Sequence, residues 1–264
     1  MDLLLANLQA ARKPEGVQVL CAVTSGDKFH DYLRDGLKGI FGESVRILRQ
    51  PGSGIEHDEI RRRHYECRLQ YEREDPQIEK LKAVFKTYQL LLSNVDRSAD
   101  FFWFIEDDTL FPLDVFDRYL DFMRVLRADI VTGVSYYWHT QERHARNFWS
   151  IKDLRDKDGV KALQLDPIPG EREGVVRLGA TGLGNVLAKA ESVLSWTPES
   201  YMDIGSGADI SFFYNAMRKG FRAFGLWDTY LPHITKHVNG DIEIRGRIDT
   251  SLLPLIGAGR ADNS

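Results

Sequence analysis

The sequence predicts an α/β protein built on an open, mixed, mostly parallel sheet flanked by helices, and three observations carry that expectation. Short β-rich segments alternate with helix-length connections from Val17 to Trp138. Phe101-Phe102-Trp103-Phe104-Ile105 is an unbroken run of bulky apolar residues, as expected of a strand covered on both faces. A chain of 264 residues with 43% hydrophobic and 28% charged residues has enough apolar material for a large core.

In order along the chain, an N-terminal helix candidate is ended by the break Lys13-Pro14-Glu15-Gly16. Val17 to Val23 reads as a buried strand feeding the polar loop Thr24-Ser25-Gly26-Asp27. Phe29, Tyr32, Leu33, Leu37, Ile40 and Phe41 recur at helical spacing before Gly42, and Ser44 to Leu48 is a second strand. Ile55 to Glu74 is rich in Arg and Glu, and its Arg61-Arg62-Arg63 triplet reads as a solvated, ion-paired helix face in preference to a phosphate contact. Ile78, Leu81, Val84, Phe85, Tyr88 and Leu92 mark an amphipathic helix.

After the apolar strand come Glu106-Asp107-Asp108, a helix over Leu113–Leu126 and a strand over Asp129–Trp138. The stretch from His139 to Glu173 is polar and reads as irregular. A glycine-rich segment, Gly179 to Asn185, precedes a helix from Lys189 to Trp196. An amphipathic helix through Ile210, Phe213, Tyr214 and Met217 leads to a strand at Phe221–Leu226 and then to Leu231-Pro232-His233. The expected organisation is a single domain over residues 1–256 with a fraying tail over 257–264.

Composition narrows the function. With 35 basic against 39 acidic residues the net charge is −4, so no cationic field exists to grip nucleic acid non-specifically. Cys21 and Cys67 match neither a disulfide framework nor a zinc ribbon, which points to a reducing, cytoplasmic setting. No apolar run is long enough to span a membrane. Leu3, Leu4, Leu5 and Leu8 either cap a core or touch a membrane or partner peripherally.

The chemistry is expected at the carboxyl ends of the strands, where open α/β sheets bind ligands. Three adjacent carboxylates repel one another unless a cation or hydrogen-bond donors compensate, so Glu106-Asp107-Asp108 suggests a divalent metal. The alternative is a turn with Asp108 capping the next helix. Gly179 to Asn185 is neither a P-loop nor a dinucleotide fingerprint, because no Lys-Ser/Thr follows and it does not succeed the first strand.

This order of a strand with a polar loop, a strand with an acidic triplet, a glycine-rich loop, an acid near a helix start and a late strand ending in His233 resembles the GT-A glycosyltransferases. The likeness is architectural, spans roughly Val17 to His237, and is nearest to the family-2 and Anp1-like branches. It implies a Rossmann-like nucleotide-sugar fold in which Glu106-Asp107-Asp108 fills the D-x-D slot. Glu106 then lies toward the ribose, Asp107 toward the substrate, and Asp108 binds Mn²⁺ or Mg²⁺. Thr24 and Ser25 fall where base and ribose are contacted, Lys86 where a basic side chain reaches the donor, and Gly182 where sugar and acceptor are lined.

Asp209 falls where inverting members keep a general base, although the usual acidic pair is Ala208-Asp209 here, and an N-cap role stands beside it. His233, or His237 instead, falls where an imidazole ligates the metal; His139 and His144 have no such case. The partners implied are a UDP- or GDP-type sugar and a carbohydrate, lipid or protein acceptor. A sugar nucleotidyltransferase and a non-catalytic nucleotide-sugar or carbohydrate-binding module of the same fold are the competing readings. The tryptophans Trp138, Trp149, Trp196 and Trp227 either stack on sugars or fill the core.

Overall fold

A computed structural model describes residues 2–23, 27–49, 75–138, 144–146, 148–155, 161–168, 174–198, 207–236 and 242–256. Thr24, Ser25, Cys67, the Arg61-Arg62-Arg63 triplet, His139, His237 and the 257–264 tail lie outside these residues. The chain divides into two compact units, one of residues 1–14, 98–196 and 212–264, the other of residues 15–97 and 197–211.

The second unit is a β-α-β element followed by a helix. Strand β1 (Val19–Val23) pairs in parallel with β2 (Val45–Arg49), with Val19 beside Val45 and Cys21 beside Ile47. Helix α2 (Asp27–Phe41) connects them and buries Leu33 and Leu37, one helical turn apart, while Tyr32 stays exposed. A 3₁₀ turn (Gly42–Ser44) enters β2, and Gly42 takes a φ of 64° that suits glycine. Helix α3 (Asp75–Leu92) buries Phe85, and in the turn that follows it the Asn94 side chain accepts from Arg46 Nη2 at 3.1 Å. The strands expected over Val17–Val23 and Ser44–Leu48 and the helices expected over Phe29–Phe41 and Ile78–Leu92 are present, while the helix face expected over Ile55–Glu74 lies outside the described residues.

The first unit holds a five-strand path in the order β3-β9-β4-β10-β8, with β5 paired to β4 off that path. Its strands are β3 (Phe101–Ile105), β4 (Ile130–Trp138), β5 (His144–Arg146), β8 (Val175–Leu178), β9 (Asn185–Lys189) and β10 (Ala223–Leu231). The sheet is mixed as expected, but it is not mostly parallel. Among these pairings only β4 with β10 is parallel, because β9 and β8 run against their neighbours. Strand β3 ends the sheet rather than sitting inside it. Its apolar run is nevertheless used on both faces: Trp103 meets Phe111 and Phe116 at 5.3 and 5.4 Å, and Phe104 meets Phe212 at 5.8 Å.

Helix α4 (Val115–Leu126) buries Val115, Tyr119 and Met123 at successive four-residue steps and ends at Arg127 in the left-handed region, φ 50°. Short α5 (Ala190–Leu194) follows β9 directly, so the helix expected from Lys189 to Trp196 is a strand end and one turn and a half. Helix α6 (Ala208–Arg218) buries Phe212 and Phe213, with Trp196 edge-on to Phe212 at 5.3 Å. Helix α1 (Asp2–Ala10) buries Leu4 and Leu8, which favours the core-capping reading of those leucines, although Leu3 and Leu5 are only half-buried.

The stretch from His139 to Glu173 is not irregular throughout. Besides β5 it contains an antiparallel hairpin, β6 (Trp149–Arg155) with β7 (Lys161–Pro167), in which Trp149 faces Pro167. Trp149 also bridges Ala180, so the start of the glycine-rich segment packs on the hairpin; a Cβ on Gly179 would stand 2.3 Å from the Ile151 amide nitrogen. A second small pair, β11 (His233–Lys236) with β12 (Ile242–Arg245), follows β10 across Pro232. Trp196 and Trp227 are core residues. Among the described residues no helix is long and apolar enough to cross a membrane.

Candidate active site

The acidic triplet sits in the turn that leaves the carboxyl end of β3, and two other segments close on it within the first unit. From one side comes the strand after Pro232. The Leu110 amide donates to the Pro232 carbonyl at 2.9 Å, the Ile234 amide donates to the Asp108 carbonyl at 2.6 Å, and Thr109 forms an antiparallel bridge with His233. From the other side comes the glycine-rich loop, where the Glu106 amide donates to the Gly184 carbonyl at 2.9 Å. These backbone bonds fix the turn, so its side chains are placed by the sheet rather than by their own preferences.

Asp108 and His233, far apart in sequence, meet at this junction. His233 Nε2 lies 3.1 Å from Asp108 Oδ2. The Asp108 side chain is 42% exposed overall, yet its Oδ1 is closed off from solvent and has no hydrogen-bond partner. A carboxylate oxygen buried without a donor is costly, of order 1–3 kcal/mol or more for a charged group, which is the mark of a position completed by something else. The hydrogen bond to Asp108, aided by the charges of Asp108 and Glu106 and opposed by burial, holds the His233 imidazole above its usual pKa. A cation taking that nitrogen would replace its proton.

The donor set can be tested against a divalent metal. Among the described residues no group of three or more His, Cys, Asp and Glu side chains stands ready to hold an ion. Two protein donors, one carboxylate and one imidazole, are what the turn offers. That suits an ion of the Mg²⁺ or Mn²⁺ type, which keeps waters and takes its other ligands from substrate phosphates. The buried, unpartnered Asp108 Oδ1 fits the same role. Glu106 is half-buried and Asp107 exposed.

Gly182 lies buried in the loop, but Gly184, two residues on, is the glycine that meets the acids. A Cβ there would stand 2.8 Å from Thr109 Oγ1 and 3.3 Å from Glu106 Oε2. The same loop holds Thr181 Oγ1, buried with no partner, and leads to Asn185, whose Nδ2 is in the same condition. Asn185 otherwise anchors a buried network: its Oδ1 accepts from Trp103 Nε1 at 3.1 Å and its carbonyl from Thr132 Oγ1 at 2.8 Å. Thr109 and Gly184 were not singled out by sequence reasoning, because only the folded bridge to His233 reveals the first and only the close approach to Glu106 reveals the second.

The remaining candidates belong to the second unit. Lys86 is an exposed residue of α3. Asp209 stands inside the first turn of α6 rather than ahead of it, since the helix begins at Ala208. It is therefore not the N-cap residue, though its Oδ1 accepts from the Ile210 amide at 2.8 Å and so satisfies a free N–H of that turn. Burial pushes its carboxyl above the usual carboxylate range, against the hydrogen bonds from the Ile210 and Asp209 amides.

Fold and site together define a mixed-sheet α/β protein with an acid–imidazole pair at a strand end. No protein-family model matches the chain, and no curated protein matches it. Among solved structures it is similar to A197 from STIV, with 14% identity, a TM-score of 0.40, and coverage of 88% of this chain and 98% of that one. It is also similar to GalNAc-T7, whose structure was determined with UDP, GalNAc and Mn²⁺, at 9% identity and a TM-score of 0.48, covering 84% of this chain and 39% of that one. Likenesses this distant leave the activity to be argued from the residues.

Proposed function

We propose that this chain is a metal-dependent glycosyltransferase of the inverting type, moving a sugar from a nucleotide-diphosphate sugar to an acceptor hydroxyl. The observation that carries the reading is the Asp108–His233 pair at the end of β3, with one carboxylate oxygen buried and unpartnered. Asp108 and His233 would hold Mn²⁺ or Mg²⁺, which when bound supplies positive charge against the diphosphate leaving group. Glu106, held by the Gly184 carbonyl, and Asp107 complete the acidic rim facing the donor. Thr24, Ser25, Lys86 and Gly182 are the further donor contacts that the resemblance suggests.

In the proposed displacement the acceptor oxygen attacks the anomeric carbon as the bond from that carbon to the phosphate oxygen breaks. The diphosphate keeps the electron pair of that bond. Asp209 takes the hydroxyl proton; a carboxylate made more basic by burial accepts it more readily than a solvated one. A single displacement inverts the anomeric centre. Cytoplasmic placement, in keeping with the cysteine usage, belongs to the same proposal.

The test is thermal stabilisation of the full chain by UDP, GDP and nucleoside triphosphates, each with and without Mn²⁺. Saturation near 100 times the dissociation constant stabilises by about 2.7 kcal/mol, which at about 2–4 °C per kcal/mol is readily measured. Metal-dependent stabilisation by a nucleoside diphosphate is the expected result. Preference for triphosphates would instead indicate a nucleotidyltransferase, and no response a binding module without this chemistry.

A further inference from the structure

The segment that joins the acidic turn to α4 is held on both edges, and one of its clamps is a buried amide from the N-terminal helix. Asn7 on α1 is fully buried. Its Nδ2 donates to the Phe111 carbonyl at 2.9 Å, and its Oδ1 accepts from the Phe111 amide at 3.0 Å. One carboxamide thus satisfies both backbone groups of a single residue, as a neighbouring strand would. Two residues on, the Leu113 carbonyl accepts from the Arg12 amide at 2.8 Å. Immediately before Phe111, Leu110 is bonded to Pro232, and Thr109 bridges His233. The backbone groups of this segment are thus divided between two sides, one held by α1 and the residues just after it and the other by the strand that carries His233.

We propose that Asn7 is a positioning residue for the Asp108–His233 site: by fixing the backbone of Phe111 it sets the register in which Thr109 pairs with His233 and Asp108 meets the imidazole. The inference rests on the cation-binding reading of that pair. Asn7 touches neither Asp108 nor any reacting group in this arrangement; it acts through Leu110, Thr109 and Asp108, the three residues between its Phe111 contacts and the imidazole. Residues that orient ligands from outside the coordination shell change metal affinity by about 10- to 100-fold when lost.

The experiment titrates Mn²⁺ into the full-length chain and reads free Mn²⁺ by electron paramagnetic resonance, for the unsubstituted protein and for Asn7→Leu, Asn7→Ser and Leu8→Ala. Asn7→Ser is the gentler change, leaving room for water to reach the Phe111 groups. Leu8→Ala also loosens the buried face of α1 but leaves both Asn7 bonds intact. The expected result is Mn²⁺ affinity weaker by about tenfold or more in the folded Asn7 variants and within about twofold of the unsubstituted value in Leu8→Ala, even where Leu8→Ala melts earlier. Unchanged affinity in the Asn7 variants, or equal weakening in Leu8→Ala, would overturn the role of Asn7 alone. An unsubstituted chain that binds no Mn²⁺, either alone or with a nucleoside diphosphate present, is a different result, and overturns the cation site along with it.

Discussion

Gly184→Ala separates the geometry of the acidic turn from the general stability of the sheet. The added methyl would stand 2.8 Å from Thr109 Oγ1 and 3.3 Å from Glu106 Oε2. Glu106 can swing its carboxylate away, being the far end of a flexible side chain. Thr109 is only 2% exposed, β-branched, and tied through its backbone to His233, so it moves only if the bridge moves. Overpacking of this kind costs about 1–3 kcal/mol, or a melting decrease of about 2–4 °C for each kcal/mol. The distinctive part is that this displacement falls on the turn holding Asp108. Gly225→Ala provides the comparison, since its Cβ would strike the buried Phe148 ring at 2.5 Å, on β10 rather than in the loop that meets the acidic turn. Melting curves with and without Mn²⁺ and UDP should show both variants destabilised, with ligand-dependent stabilisation lost only in Gly184→Ala. A Gly184→Ala protein that melts and binds like the unsubstituted chain would refute the reasoning.

Asp108→Asn should abolish metal-dependent stabilisation by a nucleoside diphosphate while changing the unliganded melting temperature little, because the pair it breaks is partly exposed and worth at most about 1 kcal/mol; an intact response would remove the metal assignment. Tyr119→Phe should destabilise by about 1–3 kcal/mol, since the phenol accepts from the Gly133 amide at 2.7 Å and donates to the Asn185 carbonyl, and denaturant titration measures the loss. Asp209 carries a folded-state pKa above its unfolded value, so its contribution is fully present below the unfolded pKa and is lost as pH rises through the folded one. Urea titrations from about pH 4 upward should therefore show a decline that Asp209→Asn flattens, and parallel pH profiles would contradict it.

The elements legible in the sequence are those with long periodicity or unbroken apolar runs. α2 and α4 announce themselves through four-residue repeats such as Leu33–Leu37 and Val115–Tyr119–Met123. The Phe101–Ile105 run correctly signals a strand, but not one covered on both faces within a parallel sheet: Phe101 is exposed, the other four residues are half-buried, and β3 runs antiparallel to β9 at the end of its sheet. The hairpin of β6 and β7 escapes because Lys152, Asp153, Arg155 and Gln164 dilute a short alternation into what reads as loop. β9 escapes because Asn185 to Ala188 are all buried, leaving no period to detect.

The site was legible in part for the same reason. Asp108 stands out as the end of an acidic triplet after a strand, and His233 as a histidine after a late strand and proline. Their meeting at 3.1 Å is a property of the fold. Asn7 carries no local signal at all, since an asparagine within a leucine-rich helix gains meaning only from the two Phe111 bonds.

The most direct measurement is anomalous diffraction at the manganese edge from crystals of the full chain grown with Mn²⁺ and a nucleoside diphosphate. The account predicts a manganese peak within bonding distance of Asp108 and His233 Nε2, with the diphosphate against it. A nucleotide bound elsewhere, or a turn that carries no manganese, would contradict it.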